Sequence, residues 1–291
     1  MKLRLDRFIS LCIFKLMASG KLWKPGRRIP ILMYHSISQI IEDVHPYYQT
    51  STAPDVFNRH LRYLKENNYN VLRLAKAAEM LTDNQAFPKK NVVITFDDGF
   101  RDFYTDAVPI LDAYGFTATV FLPTAFITHD RCEFKGASCL TWDEVRQLLK
   151  RGFTFGSHTV THPVLSELNK HEVEHEIRFS KAVIENKTGQ AVDLFSYPYA
   201  FPDNQNCFSE FLSNTLIKCG YKVGVTTRIG NAHKDDMPFK LKRIPISTHD
   251  DLKLFKAKLA GAYNWLLTPQ RIYKMLKPLF RKKHVRWTAT L

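Results

Sequence analysis

Val92-Val93-Ile94-Thr95-Phe96-Asp97-Asp98-Gly99 is an apolar run that ends in two adjacent carboxylates and a glycine. Such a run reads as a strand buried on both faces of a parallel sheet. Acids at its carboxyl end would stand where α/β folds keep their chemistry. Neighbours on an extended chain point to opposite sides, so Asp97 and Asp98 could take different tasks, and glycine permits a sharp exit. A strand followed by an ordinary Asp-Gly turn is the plain alternative. Further on, His158-Thr159-Val160-Thr161-His162 sets two imidazoles four residues apart, bracketed by Gly156 and Pro163. On a helical turn that spacing puts both rings on one face, within reach of one metal ion. With one carboxylate of the Asp97-Asp98 pair they would form a three-ligand site with a position left for water, as catalytic metals have. A surface turn that happens to hold two histidines is the alternative.

A second histidine pair is a decoy. His171-Glu172-Val173-Glu174-His175 formally matches HExxH, the metalloprotease pattern. At about 100° per residue, however, Val173, Ile177, Ser180 and Ile184 share one helix face. His171 and His175 then fall on the charged side, toward solvent, where no cleft can use them.

The elements that must position these groups alternate in type. Short apolar runs read as strands: Ile29 to His35, the run into Asp97, Ala118 to Leu122, Phe153 to Gly156, Leu194 to Tyr197, Tyr221 to Thr226 and Leu241 to Ile246, with Tyr69 to Leu72 a short strand or an extended link. Between them helical spacing predicts helices over Pro54–Asn67, Leu74–Leu81, Ala107–Tyr114, from Thr141 to about Arg151, from about Asn169 to Lys187, and over Ser209–Cys219. Thr141-Trp142-Asp143-Glu144 has the form of a capping box. Strands alternating with helices on short links predict parallel βα units. Polar residues at several strand ends point to closure as a barrel.

The chain has 291 residues, of which 45% are hydrophobic and 24% charged, ordinary values for a globular protein. The net charge of +14 is not ordinary, and it predicts an anionic neighbour. Lys2, Arg4, Arg7, Lys15, Lys21, Lys24, Arg27 and Arg28 crowd one end, and Lys274, Lys277, Arg281, Lys282, Lys283 and Arg286 the other. Basic ends around a less basic middle suit an enzyme docked on an anionic membrane surface, and no nucleic-acid partner is expected. Five cysteines with no CxxC indicate neither a disulfide framework nor a thiolate zinc site. They favour a reducing, cytoplasmic location, peripheral at the membrane. The run Phe8 to Ala18 is too short to span a bilayer and is broken by Lys15, so it reads as an amphipathic segment on a membrane surface. Export by an atypical N-terminal signal is the alternative.

The order Thr95-Phe96-Asp97-Asp98-Gly99, His158-Thr159-Val160-Thr161-His162-Pro163 and Ser196-Tyr197-Pro198-Tyr199, with Phe121-Leu122-Pro123 and Leu140-Thr141-Trp142, resembles the polysaccharide deacetylase family, carbohydrate esterase family 4, with its NodB-homology domain. The resemblance covers roughly Ile29 to Ile246. It implies a distorted (β/α) barrel of about seven parallel strands. It implies a divalent metal, most often zinc, on Asp98, His158 and His162. Asp97 would be the general base, and the Tyr199 backbone N–H would face the oxyanion. Tyr197, Pro198 and Trp142 would contact substrate, and Phe100, Phe103 and Tyr104 are further candidates for a sugar groove, with core packing the equal alternative for Trp142 and these three aromatics. Many members carry an Arg in the third motif that orients the base. Ser196 stands there instead, and Arg243 is a substitute from another strand, with a surface arginine as the alternative. Met33-Tyr34-His35 resembles the start of the biofilm poly-N-acetylglucosamine deacetylase subgroup, which makes His35 the general acid and His249 its alternative. The remaining histidines, His45, His60, His129, His233 and His284, are expected at the surface.

The expected organisation is a basic amphipathic segment at 1–28, the catalytic domain at 29–250 and a basic amphipathic helix and tail at 251–291. The expected activity is metal-dependent removal of N-acetyl groups from amino-sugar units of a polysaccharide or glycan precursor. One alternative keeps fold and metal but acts on another N-acyl or a lipid-linked sugar. The other is a non-catalytic glycan-binding module.

Overall fold

The computed structural model describes residues 4–19, 28–40, 44–83, 90–202 and 205–276. Eight parallel strands organise it: β1 Ile31–Tyr34, β2 Asn70–Leu72, β3 Asn91–Phe96, β4 Thr119–Leu122, β5 Thr154–Ser157, β6 Leu194–Ser196, β7 Val223–Ile229 and β8 Leu241–Pro245. Seven of them close a barrel in the order β1-β8-β7-β6-β5-β4-β3, shut by the pairing of β3 with β1. The eighth, β2, lies alongside. The first half of β3 pairs with β2 (Leu72 opposite Val93) and the second half with β4 (Thr95 opposite Thr119). This splay distorts the barrel. The expected strand from Ile29 to His35 divides at Pro30, which has no N–H for a ladder. Arg28–Ile29 pairs antiparallel with Ala232–His233, and Ile31–Tyr34 enters the barrel.

Alternation along the strands builds two cores. Ile31, Val93, Phe121, Leu194, Val225 and Leu241 share one apolar cluster inside the barrel. Leu32, Tyr34, Ile94, Phe96, Val120, Leu122, Phe195 and Ile244 pack outward under the helices. The interior is tightly filled at Gly156 on β5. A Cβ there would come within 2.6 Å of the Phe121 ring and 2.8 Å of the Leu194 carbonyl oxygen, so the aromatic occupies space that only glycine leaves free.

The helices are α1 Leu5–Ala18, α2 Pro54–Glu66, α3 Leu74–Thr82, α4 Val108–Tyr114, α5 Trp142–Lys150, α6 Lys170–Thr188, α7 Asn206–Lys218, α8 Leu252–Leu259 and α9 Leu267–Leu276. The predicted capping box opens α5, with Thr141 accepting from the Glu144 N–H and Glu144 from the Thr141 N–H. Asn169 and Glu172 do the same for α6, and left-handed Gly189 ends it. The C-terminal segment is helical as far as it is described, and the expected tail beyond residue 276 lies outside the described residues. Phe255 and Leu259 of α8 join the main core, and Lys258 is buried on Asp250 (2.8 Å). Among the described residues no helix is long and apolar enough to cross a membrane.

Candidate active site

The last inward residues of the strands are polar, and they converge at the barrel mouth. Arg243 on β8 is fully buried. Its guanidinium grips Asp97 in a two-bond fork, Nη1 to Oδ1 and Nη2 to Oδ2, each 2.7 Å. Nε donates to the Thr226 carbonyl (3.0 Å), Nη1 also to Thr95 Oγ1 (3.3 Å), and Nη2 also to Ser196 Oγ (3.0 Å). Ser196 in turn donates to Asp97, with Oγ 3.3 Å from Oδ1. The guanidinium lies over the Phe121 ring, 5.8 Å from its centroid, so the apolar barrel core is its floor. Desolvating two charges is costly, and only a fork of this quality with every donor used can offset it. Burial would raise the Asp97 carboxyl, but Arg243 and His158 outweigh it and hold it down at about 2. Asp97 is therefore a fixed, ionised carboxylate.

Asp98 turns the other way, for a reason the sequence did not show. Its φ is +70° and that of Gly99 +62°, so the chain leaves the strand through two left-handed residues. A Cβ at Gly99 would also meet Leu122 Cδ2 at 3.0 Å and Ile127 Cδ1 at 3.1 Å. The turn brings Asp98 Oδ1 to 3.2 Å from His162 Nε2 and 3.5 Å from His158 Nε2. All three side chains are buried.

The histidines reach this point without a helical turn. Residues 158–163 form a loop in which Thr159 (φ +68°) and His162 (φ +57°) are left-handed. Three acceptors hold it. Glu176 of α6 takes the Val160 N–H at 2.7 Å, the Thr161 N–H at 3.0 Å and the Thr161 hydroxyl at 2.7 Å. Thr159 Oγ1 accepts the His162 N–H (3.1 Å), and Ser157 Oγ the Thr159 N–H (3.2 Å). Of the six described non-glycine residues with positive φ, five belong to the site or its loops: Asp98, Lys135, Thr159, His162 and Tyr199. Backbone held against local preference in this way needs surroundings that over-determine it, and Glu176 is the buried carboxylate that supplies much of that here.

These residues fit a divalent cation. His158 Nδ1 lies 2.8 Å from the Ser196 carbonyl oxygen and donates to it, which leaves the Nε2 lone pair facing Asp98. Asp98 Oδ1 is buried with no well-formed hydrogen bond among the described residues, although two imidazole nitrogens face it. One carboxylate oxygen and two imidazole nitrogens, all within 4.8 Å of one another, are a donor set that a metal such as zinc takes. The other oxygen, Oδ2, accepts from Lys135 Nζ at 3.0 Å. Lys135 stands at the tip of a hairpin, Glu133–Phe134 against Ala137–Ser138, whose two turn residues Lys135 and Gly136 both have positive φ. Burial would raise the Asp98 carboxyl, but the two imidazoles keep it well below the usual range.

A cleft of about 890 Å³ opens above these groups, lined among others by His35, Asp97, Asp98, Phe100, Lys135, His158, His162, Tyr197 and Tyr199. His35 follows β1 with Nδ1 buried and without a partner among the described residues. Burial pushes this imidazole down, while Asp98 and Asp97 pull it up. Tyr199 has φ +56° and is half exposed. Its carbonyl accepts from Thr227 (2.8 Å). Tyr197 is buried against Phe195 and Phe201, and its hydroxyl is unsatisfied on the cleft wall. A second cavity, about 580 Å³, lies at the opposite end of the barrel by Phe153, Thr154 and Leu194. Among the described residues it carries no comparable cluster of ligand or acid–base groups.

Several expected positions are corrected. Trp142 is 2% exposed and packs in the core as the first residue of α5, so it lines no sugar groove. Pro198 is buried and outside the cleft. Of the aromatic candidates Phe100 lines the cleft, Phe103 is core, and Tyr104 bonds Gln147. His249 lies away from the cleft, its carbonyl bonded by Arg4 (3.3 Å). His60 is not a surface residue. It is 1% exposed, stacked on Phe255 at 4.0 Å, with Nδ1 taking the Tyr34 hydroxyl and Nε2–H donating to the Asp250 carbonyl. His284 lies outside the described residues. Glu176 and Lys135 escaped the sequence reading because nothing local marks them.

Comparison with known proteins follows the same lines. A family profile described as Polysaccharide deacetylase matches residues 84–223. YxkH of Bacillus subtilis, whose name places it among polysaccharide deacetylases, is 33% identical over 224 residues, 77% of this chain and 73% of its own. A poly-beta-1,6-N-acetyl-D-glucosamine N-deacetylase of Staphylococcus aureus (strain MRSA252) is 23% identical over 206 residues, 68% of each chain. The Streptococcus pyogenes deacetylase PplD, solved in complex with acetate, superposes with a TM-score of 0.65 at 28% identity, over 83% of this chain and 97% of its own.

Proposed function

The chain belongs to the polysaccharide deacetylase family, hydrolases of carbon–nitrogen bonds, and from that premise we propose that it removes N-acetyl groups from amino-sugar units of a glycan or glycan precursor, with zinc as its metal. The observation that carries this reading is the division of labour between two adjacent carboxylates: Asp97 forked by Arg243, Asp98 turned onto His158 and His162. A binding module without turnover has no use for an ionised carboxylate fixed beside an open ligand set.

Asp98, His158 and His162 would hold the cation, which supplies Lewis acidity toward water and toward the acetyl carbonyl. Asp97 receives the proton of the attacking water as the water oxygen bonds the carbonyl carbon. Arg243 and Ser196 keep its carboxylate ionised and aimed, the duty given elsewhere in the family to an arginine at the position of Ser196. The Tyr199 N–H, which donates to no described acceptor, stabilises the negative charge that grows on the carbonyl oxygen. His35, in its protonated form, gives a proton to the sugar nitrogen as the carbon–nitrogen bond breaks. Free amine and acetate leave. Tyr197 and the rim of the cleft shape the sugar subsites. The similarity to a poly-N-acetylglucosamine deacetylase supports N-acetylglucosamine polymers as the substrate class.

The test is acetate release from an N-acetylglucosamine oligomer by the purified protein, after chelation and again after zinc is restored. Release that disappears and returns with zinc is the expected result. Asp97→Asn should keep zinc bound yet lose about 10²–10⁴ in turnover, the usual worth of a general base. Full activity in that variant would overturn the assigned mechanism. Zinc bound without acetate release would move the substrate to another N-acyl or a lipid-linked sugar, and neither binding nor release would leave a non-catalytic module.

A further inference from the structure

Helix α1 is mounted with its apolar side outward. Asp6 and Ser10 face the domain, where Asp6 Oδ2 accepts from the Tyr263 hydroxyl (2.9 Å) and Ser10 Oγ from Trp265 Nε1 (3.0 Å). Ile13, Phe14 and Met17 are half-buried on the same side. Leu5, Phe8, Ile9, Cys12 and Leu16, spaced as one helical stripe, face solvent, Leu5 and Phe8 at 58% and 67% exposure. Arg4 and Arg7 do not interrupt this stripe, being bound to Asp6 (2.5 Å) and Asp251 (2.5 Å). Helix α9, which starts just past Trp265, also exposes apolar groups, Ile272 and Tyr273. The Tyr273 side chain meets that of Tyr48, also exposed. Tyr48 in turn lines the active-site cleft, whose rim carries exposed Ile40 and Val44. The exposed apolar residues of α1, of α9 and of the cleft rim are thus linked through the Ser10–Trp265 and Tyr48–Tyr273 contacts.

We propose that these residues form one face that docks the protein on an anionic phospholipid bilayer, with α1 lying in the plane of the interface. The charge distribution selects this occupant. Residues 1–28 hold eight basic residues and one acidic one, Asp6; residues 251–291 hold ten basic residues and one acidic one, Asp251. The two ends therefore carry more than the whole net charge of +14, and the stretch between them is slightly acidic. Both acids at these ends are already bound, Asp6 to Arg4 and Asp251 to Arg7. Lys15, Lys253 and Arg271 are exposed with no acidic partner among the described residues. An apolar stripe of this kind set among basic residues matches an anionic headgroup layer over hydrocarbon. A second copy of the chain would instead bring two strongly basic ends together. Because Tyr48 belongs both to this face and to the cleft, docking opens the cleft along the membrane, toward glycan carried at its surface.

Docking is read without any substrate, so its outcome is independent of the reaction. The full chain is floated with vesicles of phosphatidylcholine alone and of phosphatidylcholine with phosphatidylglycerol. Partition into the anionic vesicles is expected to be about tenfold or more the greater. It should weaken between about 0.1 M and 1 M salt as the Debye length shrinks from about 10 Å to about 3 Å. The pair Phe8→Asp with Ile9→Asp alters only exposed positions and should leave the melting temperature in place while lowering partition by about tenfold or more. Equal partition of wild type and variant into anionic vesicles, or none by wild type, overturns the proposal. A wild-type dimer that the variant dissolves, without vesicle binding, would assign the face to a second copy.

Discussion

Two pairs of histidines stand four residues apart in this chain, and the fold treats them oppositely. His171 and His175 lie on α6, a regular helix, and both are exposed; His175 stacks on exposed Phe179 at 5.1 Å. His158 and His162 lie on an irregular loop, both buried, their rings 4.7 Å apart and both facing Asp98. Equal spacing therefore did not decide the outcome. On the helix the spacing fixes a face, and the apolar residues Val173, Ile177 and Ile184 claim the core for the other one. On the loop two left-handed residues bring the rings together. The two regions are also joined, since the helix that carries the decoy supplies Glu176, which ties down the loop that carries the site.

The comparison breaks most sharply at the buried pair. His158→Ala removes one of three ligands, and both zinc retention and acetate release should fall to the level of the chelated protein. Zinc content by elemental analysis checks the first and acetate assay the second. Retention of both would mean that the convergence on Asp98 is only a buried polar cluster.

Glu176→Ala tests whether the decoy helix matters through its glutamate. The substitution leaves the Val160 and Thr161 N–H groups without their acceptor and frees the loop from its left-handed path. Residues that orient metal ligands typically account for about 10–100-fold in affinity or activity, and that loss is expected in zinc affinity measured by competition with a chelator. Glu176→Gln, which keeps one acceptor oxygen, should recover part of it. An unchanged zinc affinity in Glu176→Ala would show that the loop holds its shape alone.

How much of this was legible follows from where the determinants sit. The apolar run into Asp97 could be read because a buried parallel strand is apolar on both faces, and all of Asn91–Phe96 is buried. The Thr141 capping box was legible because its partners lie three residues apart. Arg243 could be named as a candidate, but not chosen over a surface arginine, because its partner Asp97 is 146 residues away. The left-handed turn at Asp98 and the loop of residues 158–162 were not legible, since acceptors on other elements set them. Trp142 failed for the opposite reason, since an aromatic that suits a sugar groove suits a core equally well. Amphipathicity located α1, but only the contacts of Asp6 and Ser10 show which side faces out.

His60 extends the comparison to a third environment, a histidine buried with both nitrogens satisfied and no carboxylate ring contact. Burial lowers its pKa to about 4 against the upward pull of Asp250, with Lys258 and Arg59 also pushing down. An unfolded histidine titrates near 6.5, so between about pH 6.5 and 4 the unfolded chain binds a proton that the folded chain does not. Stability from this group is complete above that window and is lost as the pH falls through it, by up to about 3 kcal/mol. Denaturant unfolding at pH 7 and pH 4.5 measures the loss, and His60→Gln should shrink the difference between the two. An equal difference in the variant would place the acid sensitivity elsewhere.

The smallest effect expected is that of His171→Ala with His175→Ala, and it gives the comparison its control. Both side chains point to solvent on a helix whose N-terminus is already capped by Asn169 and Glu172, and alanine is the better helix former. Exposed substitutions of this kind stay within about 0.5 kcal/mol. His175 gives up its stacking on Phe179, while helix propensity offsets part of that loss. Melting temperature, zinc affinity and acetate release should therefore all match wild type. A fall in zinc affinity would mean that α6 serves the site through its outer face as well as through Glu176, and the HExxH pattern would no longer be a coincidence of spacing.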